Sequence, residues 1–418
     1  MKLLHATTVP ATLNFLRTQP AFLAEHGIEV ALLSSPGEEL ESIAAAEGAR
    51  AIGVPMHRGF SVGADLRTLR QLVGILRRER PDIVHAHTPK AGLLVTVAGR
   101  IAGVPLCIYQ IHGLRFLTTS GLQRTILRTT ERISTAAAHR VLCVSPSVLA
   151  LAEDERVIRR GKGAVLGAGT INGVDLEAFD PAALQEEAAA VRAALSIPAD
   201  APVVGFVGRL AADKGVADLA AAWSRVREEA PRAHLLMLGG PEDNDPVDPE
   251  VLERLAQDPR AHLLGHRAEV RPYCATMSVL ALPSAREGFP QTLLEGSAMG
   301  IATVGSDVPG VSDAVRDGVT GLLVPVHDPD ALAEELLVLL RDPLRRAALG
   351  AAGRHWARSG FDRSIVRERF LEFYLRAAAE QGIPLPSTAS RVVASGSRVL
   401  DRSTRLDHDP AADPARTP

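Results

Sequence analysis

The sequence predicts an α/β protein of two doubly wound, Rossmann-like domains that face each other across a cleft. Its 418 residues are too many for one hydrophobic core and suit two domains of ordinary size. Short apolar, β-branched runs alternate with helical patterns almost throughout, which indicates parallel sheets covered by helices on both faces. A turn-rich segment at residues 172–202 divides this alternation into two sets of similar size.

The composition is that of a globular chain in a reducing compartment. Apolar residues make up 46% and charged residues 23%, and the net charge of −3 argues against a protein that coats nucleic acid. Cys107, Cys143 and Cys274 lie far apart, so we expect neither a disulfide framework nor a zinc site. The N-terminus lacks the apolar core of a signal peptide and no stretch predicts a transmembrane helix, so we expect a cytoplasmic protein.

The first half of the chain predicts five strands and one long amphipathic helix. The helix covers residues 65–81, and its basic face either meets solvent or touches anionic lipid. Its arginines are Arg67, Arg70, Arg77, Arg78 and Arg80. The strands are "KLLHATT" (2–8), "EVALLSS" (29–35), "DIVHAH" (82–87), "LCIYQIH" (106–112) and "RVLCVS" (140–145).

The second half predicts six further strands and a last helix at 367–381. The strands are "VVGFVG" (203–208), "HLLMLGG" (234–240), "HLLG" (262–265), "SVLALPS" (278–284), "ATVGS" (302–306) and "GLLVP" (321–325). These patterns divide the chain into a first domain at 1–180, a linker at 181–202, a second domain at 203–358, a C-terminal helix at 359–383 that crosses back to the first domain, and a disordered tail at 384–418.

A loop with two cations follows the first strand of the second domain. In "GFVGRLAADKG" (205–215), Gly208 allows a ligand to approach the backbone, and Arg209 and Lys214 follow at the carboxyl end of the strand. Two cations in this place suit a diphosphate. The alternative is an Arg and a Lys that are simply solvated on a loop.

A second stretch, "REGFPQTLLEGSAMG" (286–300), predicts an anion site at a helix start. Pro290 favours a helix that begins near Gln291 or Thr292. The free N–H groups of Phe289, Gln291 and Thr292 then point into the cleft, while Pro290 has no donor.

Two glutamates flank this helix start. Glu295 lies about one turn into the helix, where the helix dipole stabilises a carboxylate by roughly 0.3–1 kcal/mol. Glu287 lies before the break, directly after a strand, at the mouth of the sheet. Local structure therefore accounts for Glu295 but not for Glu287.

Together these stretches resemble retaining glycosyltransferase family 4, which has the GT-B fold. "GRLAADKG" matches its Arg-x4-Lys signature and "REGFPQTLLEGSAMG" its Glu-x7-Glu signature. "TINGVDLEAFDP" (170–181) and "DGVTGLLVPVHDPDALAEEL" (317–336) fit its interdomain and C-terminal segments. Residues 82–114 resemble the branch that builds capsule, O-antigen and other exported polysaccharides. The similarity covers about residues 1–380.

The resemblance implies a role for each matching residue in binding a nucleotide-sugar donor. Arg209 and Lys214 would bind the diphosphate beside Gly208, and Glu287 would contact the sugar near its reacting carbon. The N–H groups of residues 289–292 would hold phosphate. Glu295 would accept hydrogen bonds from the ribose, Arg267 would lie at the base, and His112 would lie near the transferred sugar and assist catalysis.

The implied acceptor site is in the first domain. Many members of the family carry a glycine-rich loop after the first strand, where this chain has "ATTVPAT" (6–12) and Thr8 offers a hydroxyl instead. His87, Lys90 and Arg115 follow strand ends and are further candidates for acceptor contacts. A surface role is equally open for Lys90 and Arg115.

The implied reaction transfers a sugar with retention of configuration, by front-face displacement without an enzyme nucleophile, a metal or another cofactor. The donor would be UDP-linked. The acceptor would be a growing glycan or a polyprenyl-diphosphate-linked sugar at the inner face of the membrane. Two alternatives are a nucleotide-sugar 2-epimerase of the same fold and a catalytically silent sugar-nucleotide-binding partner protein.

Three other patterns are interpreted as structural. "EDND" (242–245) contains an Asp-x-Asp metal motif but favours a solvated turn. His85 and His87 lie on one face of a strand and suit zinc, but no third ligand is apparent nearby, so packing is favoured for His85 and a cleft position for His87. "GAGTING" (167–173) has the wrong glycine spacing for a dinucleotide-binding loop.

Overall fold

The computed structural model describes residues 1–57, 59, 61–243 and 245–387. Two parallel sheets, of seven and six strands among these residues, form two α/β domains. The predicted fold class is confirmed. Each of the eleven predicted strands overlaps a strand of the structure. Of the tail predicted at 384–418, the residues from 388 onward lie outside the described residues.

The first domain is a seven-stranded sheet with helices on both faces. Its strands are β1 (Lys2–Ala6), β2 (Glu29–Ser34), β3 (Arg50–Gly53), β4 (Ile83–Ala86), β5 (Leu106–Ile111), β6 (Arg140–Cys143) and β7 (Gly163–Val165). Its helices are α1 (Gln19–Glu25), α2 (Glu38–Ala46), α3 (Val62–Glu79), α4 (Pro89–Ala102), α5 (Gly121–Ala137) and α6 (Pro146–Asp154). The sequence did not predict β3 and β7, because short strands with few buried side chains carry little hydrophobic pattern.

The helix α7 (Gln185–Ala194) leads into the six-stranded second sheet. The strands are β8 (Val203–Val207), β9 (His234–Leu238), β10 (Ala261–Leu263), β11 (Val279–Leu282), β12 (Ala302–Ser306) and β13 (Leu322–Val324). The helices are α8 (Val216–Glu229), α9 (Pro249–Gln257), α10 (Arg271–Cys274), α11 (Gln291–Ala298), α12 (Val311–Ala314), α13 (Pro329–Arg341), α14 (Pro343–Gly360) and α15 (Arg363–Glu380).

The strand order places a crevice at the same position in both sheets. The orders are β3-β2-β1-β4-β5-β6-β7 and β10-β9-β8-β11-β12-β13. In each sheet the first and the fourth strand are neighbours, and the strand order reverses between them. The connections that follow these two strands therefore run to opposite faces of the sheet. Ligands of doubly wound sheets bind in the crevice that results, which lies beyond β1 and β4 in one domain and beyond β8 and β11 in the other.

The last helix, α15, packs on the sheet of the first domain. Phe370, Leu371 and Tyr374 are buried in the same apolar cluster as Leu3 and Ile83 of that sheet. The chain therefore passes through the second domain and returns to cover the first. This return brings residues near position 370 beside residues near position 85.

The two domains approach each other closely at Gly288 and Gly310 of the second domain. A Cβ on Gly288 would lie 1.8 Å from the carbonyl oxygen of His112, so only glycine fits between the two loops. Nearby, the N–H of Gly310 donates to Ser147 Oγ at 2.7 Å, and Asp313 of α12 accepts a hydrogen bond from the same hydroxyl. These contacts close one side of the cleft.

A buried carboxyl group in the first domain makes stability depend on pH. Burial raises the pKa of Glu131 to about 7, and the hydrogen bond that it accepts from Tyr109 at 2.7 Å offsets only part of this shift. The unfolded chain releases the proton at the usual value of 4.5. The free energy of unfolding should therefore fall as the pH rises from 4.5 to about 7.

The Glu131→Gln variant should remove this loss. Glutamine stays neutral and still accepts from Tyr109, so we expect a gain of up to about 3 kcal/mol above pH 8 and none near pH 4. Chemical denaturation of both proteins at the two pH values measures the difference. A stability difference that is the same at both pH values would contradict the shifted pKa.

Candidate functional site

A cavity of about 600 Å³ lies between the two domains. This volume is in the range of small-molecule sites. The residues that line it from the N-terminal part of the chain are Asn14, Phe15, Arg17, Thr18, His112, Val144, Thr170, Ile171, Asn172, Asp175, Ala178 and Phe179. Those from the C-terminal part are Ala268, Glu269, Val270, Arg271, Glu287, Gly288, Phe289, Gln291, Glu295 and Arg363.

The helix α11 begins at Gln291, as predicted, with its N-terminus at this cavity. Buried Pro290 lies at the N-cap with φ −75° and ψ 98°, which are extended angles that precede the first helical turn. Phe289 and Gln291 both line the cavity. The side chain of Gln291 donates to the carbonyl of Gly173 at 2.6 Å and so ties this helix start to the interdomain segment. Thr292 lies within the first turn and is half-buried.

An ion pair joins the two motifs that lie about seventy residues apart. Lys214 Nζ lies 2.6 Å from Glu287 Oε1, and the two side chains are 17% and 11% exposed. Such a pair with little access to water is screened weakly. It fixes the position of the ammonium group beside the cavity that Glu287 lines.

The loops that carry this pair are joined at two further places. Arg286 pairs with Asp213 at 2.6 Å, and the N–H of Ala285 donates to the carbonyl of Asp213 at 2.9 Å. Gly215 has φ +68°, and a Cβ there would lie 1.9 Å from the carbonyl oxygen of Pro283. Because β8 and β11 are neighbours, the loops that follow them form one structural unit.

Gly208, Arg209 and Arg267, which were predicted to contact the diphosphate or the base of a donor, are not among the residues that line the cavity. Gly208 is half-buried and its N–H donates to Leu238 within the sheet. Arg209 is half exposed and pairs with Glu242 at 2.7 Å. Arg267 is exposed, while the residues that follow it, 268–271, line the cavity.

The acidic turn predicted at 242–245 organises the cationic loop. Asp245 Oδ2 accepts from the N–H of Asp213 at 2.8 Å, and its carbonyl accepts from the N–H of Ala212 at 3.0 Å. Glu242 pairs with Arg209. Asn244 lies outside the described residues. The observed contacts of this segment are therefore those of a structural turn.

Glu295 lines the cavity one turn into α11. Burial raises the pKa of its carboxyl group to about 7, against the hydrogen bond of Gln291 and the positive charge of Arg363, which lower it. Arg363 itself pairs with Asp175 at 3.0 Å. A carboxyl group with this pKa changes its charge near neutral pH.

His112 enters the cavity from the first domain, directly after β5. The ring of Phe15 stacks on its imidazole, with centroids 5.7 Å apart and an angle of 24°. Burial lowers the pKa of His112 to about 4, so the ring is neutral at physiological pH. His112 and Glu287 therefore line one cavity from opposite domains.

The first domain holds a histidine cluster that the sequence did not predict as a whole. His5 of β1 pairs in register with His85 of β4, and ligand nitrogens of His5, His85 and His87 lie within 4.8 Å of one another. The prediction that no third ligand lies near His85 and His87 is therefore wrong. The predicted cleft position of His87 is also wrong, since His87 is buried and is not among the residues that line the cavity. Its Nδ1 lies 3.4 Å from Nε2 of His112, which does line the cavity.

The remaining acceptor candidates are placed away from the cavity. Thr8 is buried, and its hydroxyl forms a hydrogen bond with that of Thr88 at 2.6 Å. Lys90 is buried and pairs with Asp65 at 2.6 Å. Arg115 is exposed on the short helical turn after β5. None of Thr8, Lys90 and Arg115 is among the residues that line the cavity, and their acceptor roles stay predictions.

Sequence reasoning missed several residues that line the cavity. Arg17 lies in the segment after β1, and its Nε donates to Asn14 at 3.0 Å. Arg363 begins α15, and Arg271 begins α10. No spacing in the sequence links these residues to the motifs, because folding alone brings their elements to the cleft.

None of the helices within the described ranges has the length and apolar character needed to cross a membrane.

Two family models match the chain, one on each domain. The glycosyl transferase 4-like domain matches residues 20–169, and the model of glycosyl transferases group 1 matches residues 201–342. A capsular polysaccharide biosynthesis glycosyltransferase of Staphylococcus aureus, CapM, is 30% identical over 89% of this chain and 96% of its own length. A second relative is the UDP-Gal:alpha-D-GlcNAc-diphosphoundecaprenol alpha-1,3-galactosyltransferase of Escherichia coli, 27% identical over 71% of this chain and 76% of its own.

Solved structures show the same fold. HepE of Anabaena, crystallised with UDP and glucose, superposes with a TM-score of 0.75 over 90% of this chain and 99% of its own, at 18% identity. At that identity the likeness speaks for the fold alone. Since the two family models and the capsular relative together span most of its length, the chain belongs to the group 1 glycosyltransferases, with a glycosyltransferase 4-like first domain and the GT-B fold.

Proposed function

We propose that this glycosyltransferase moves a sugar from a UDP-linked donor to a glycan or a polyprenyl-diphosphate-linked acceptor in polysaccharide biosynthesis, with retention of configuration. The observation that carries the proposal is the single cavity in which Glu287, the start of α11 and Glu295 face His112 of the other domain. The activities of two relatives support it: one is a glycosyltransferase of capsular polysaccharide biosynthesis, and the other transfers galactose from UDP-galactose to a diphosphoundecaprenol-linked sugar.

The donor is proposed to lie across the N-terminus of α11. Glu287 and Glu295 lie on either side of this helix start, and both line the cavity. The sugar would contact Glu287, the phosphates would accept from the N–H groups of residues 289–292, and the ribose would donate to Glu295. A helix N-terminus attracts anions, and Lys214 adds a full positive charge beside it. Arg209 and the backbone at Gly208 and Arg267 would complete the contacts to diphosphate and base.

The proposed catalytic mechanism stabilises the charges that develop as the bond between the sugar and the diphosphate breaks. The bond between the anomeric carbon and the diphosphate oxygen breaks, which leaves oxocarbenium character on the sugar and negative charge on the leaving oxygens. Fixed positive groups aimed at those oxygens lower this barrier. The acceptor oxygen attacks the same face and its proton passes to the leaving phosphate, so configuration is retained without an enzyme nucleophile.

We propose that this transfer needs no metal ion. In the proposed pose Lys214, Arg209 and the N–H groups at the start of α11 donate hydrogen bonds to the leaving diphosphate, and these contacts stabilise the developing negative charge as a metal ion does elsewhere. Glu287 then has two functions: it contacts the sugar and holds the ammonium group of Lys214 at the diphosphate.

The acceptor is proposed to reach the cleft from a membrane surface that contacts the first domain. Leu122, Ile126 and Ile133 form an exposed apolar stripe along α5, and Leu122 is 76% exposed. The exposed arginines of α3 lie on the same domain. Apolar side chains beside cations are the combination that binds anionic lipid. A peripheral position at the inner face of the membrane would bring a lipid-linked acceptor to the cleft.

A nucleotide screen tests the proposed function. UDP and UDP-sugars should raise the melting temperature of the wild type, since a ligand at 100 times its Kd stabilises by about 2.7 kcal/mol. Lys214→Met should lose most of this shift, because it removes the charge at the diphosphate. Glu287→Gln should keep the UDP shift and lower kcat on the order of 100-fold, because it can still accept a hydrogen bond from Lys214 but is no longer charged.

Three outcomes of this experiment would contradict the proposal. Equal loss of the UDP shift in both variants would mean that the roles of Lys214 and Glu287 are not separate. Isomerised donor without an acceptor would indicate an epimerase. UDP binding with no transfer to any glycan or lipid-linked acceptor would indicate a binding protein. The anomeric configuration of the product, read by NMR, decides whether the enzyme retains or inverts.

The pH dependence of UDP affinity tests the proposed ribose contact. The hydroxyl groups of ribose donate more strongly to a carboxylate than to a carboxylic acid. Since Glu295 has a pKa of about 7, UDP affinity should rise several-fold as the pH increases through neutrality and Glu295 loses its proton. Calorimetry on the wild type and Glu295→Gln measures this difference, and the variant also corrects for ionisation of the nucleotide.

In Glu295→Gln the affinity should be lower at high pH, and the pH dependence that remains should be that of the nucleotide's own ionisation. An identical pH profile in both proteins would exclude the contact between Glu295 and the ribose.

Vesicle binding tests the proposed membrane surface. The double variant Leu122→Ser, Ile126→Ser should bind vesicles of anionic phospholipid several-fold more weakly than the wild type, as measured by co-sedimentation. Leu344→Ser is the control, since Leu344 is a similarly exposed leucine on α14 of the second domain, at 84%. Unchanged binding of the double variant, or an equal loss in the control, would contradict the assignment to α5.

A further inference from the structure

A chain of hydrogen-bonded imidazoles leads from the buried first sheet to the cavity. His5 Nδ1 lies 2.8 Å from His87 Nε2, and His87 Nδ1 lies 3.4 Å from His112 Nε2. His5 and His87 are buried, whereas His112 lines the cavity. His112 therefore has hydrogen-bonded support behind it and an aromatic ring, that of Phe15, stacked against its plane.

The fold produces this chain at the crevice of the first sheet. β1 and β4 are the neighbours between which the strand order reverses, and His5 pairs in register with His85. His87 is two residues further along the chain, so its side chain lies diagonally across from His5 on the same face. β5 follows β4 in the sheet and ends just before His112.

Protons along such a chain are coupled. Burial lowers the pKa of all three histidines below their usual value, so the rings are neutral. A neutral imidazole donates from one nitrogen and accepts at the other. If His87 donates to His112, then His112 carries its proton on Nδ1; if His87 accepts from His112, then Nδ1 of His112 is a bare acceptor. The tautomer of His87 therefore decides what His112 can offer to a ligand.

We propose that His87, supported by His5, is a positioning residue for sugar transfer that fixes the tautomer and ring orientation of His112. This inference rests on the proposed function, in which His112 meets the transferred sugar. The 3.4 Å contact is long for a hydrogen bond, as catalytic contacts often are without substrate, and it shortens when the cleft holds a donor. Neither His5 nor His87 touches the substrate.

A metal site is the other interpretation of these histidines. Nitrogens of His5, His85 and His87 lie within 4.8 Å of one another, and Nε2 of His5 and of His85 has no hydrogen-bond partner among the described residues. However, the group contains no carboxylate, so a divalent cation would bring uncompensated charge into a buried place. His87 Nε2 is also already engaged by His5. The contacts thus favour a hydrogen-bonded relay.

Two substitutions of His87 separate its two contacts. The amide of asparagine reaches about as far as Nδ1 of histidine, so His87→Asn keeps a partner for His112 and loses the contact to His5. The longer glutamine reaches about as far as Nε2, so His87→Gln keeps the contact to His5 and leaves His112 unsupported. Both amides donate and accept, and both variants are uncharged, so they form a matched pair.

We expect kcat for transfer to fall at least tenfold further in His87→Gln than in His87→Asn, with the KM for the donor unchanged within about twofold in both. Removal of one oriented hydrogen bond has effects of this order or larger. A purely structural role would instead lower the melting temperature and leave the two kcat values equal. The nitrogen chemical shifts of His112, measured on histidine-labelled protein, should change in His87→Gln and not in His87→Asn.

The outcomes separate the relay from the function on which it rests. Equal kcat values, or unchanged shifts of His112 in His87→Gln, would overturn the relay while wild-type transfer upholds the function. A wild type that transfers no sugar would overturn both. Loss of transfer in EDTA and recovery with Zn²⁺ would assign the histidines to a metal site instead. If His87→Gln does not fold, the His5 variants test the step before it: His5→Gln breaks the contact at Nδ1 of His5 that His5→Asn keeps, so the tautomer of His87 is released only in His5→Gln. The nitrogen shifts of His112 should then change in His5→Gln and not in His5→Asn, and unchanged shifts in both would overturn the relay.

Discussion

The pairing of β8 with β11 is the constraint on which the donor side of the cleft depends. Because the strand order reverses between these two strands, the loops after them open around one crevice and still touch each other. The ion pair of Lys214 and Glu287 forms in that contact, and the close approach of Gly215 to Pro283 lets it form. A cation held there by a carboxylate is oriented before any ligand binds, which is how electrostatic stabilisation becomes effective.

The first domain repeats the constraint with different side chains. Its reversal lies between β1 and β4, and there it holds neutral, buried histidines instead of an ion pair. The return of α15 covers this place: the hydroxyl of Tyr374 lies 2.7 Å from His85 Nδ1. The cleft thus has an ion pair in the crevice of the second domain and uncharged, hydrogen-bonded histidines in the crevice of the first domain. His112 of the first domain lines the cavity between them.

Local patterns predicted the parts of the site whose structure is local. The start of α11 at Gln291 follows from a proline and the apolar spacing after it, and the strand that precedes Glu287 follows from its apolar run. Partners distant in sequence were not predictable in this way. Lys90 at a strand end has the same appearance whether it faces a phosphate or, as here, pairs with Asp65 of the preceding helix. His5 could not be predicted as part of the site either, because in the sequence it is one residue of a strand, and only the pairing of β1 with β4 places it beside His85.

The sequence by itself determined the α/β class, the strands of both sheets apart from two short ones, and the motifs of the second domain, because hydrophobic period, turn residues and motif spacing are properties of contiguous chain. The tertiary structure alone decided that Lys214 is held by Glu287, that His87 is buried behind His112, and that Arg17 and Arg363 reach the cavity. Those contacts depend on strand order and on the return of α15, which bring together residues far apart in the chain.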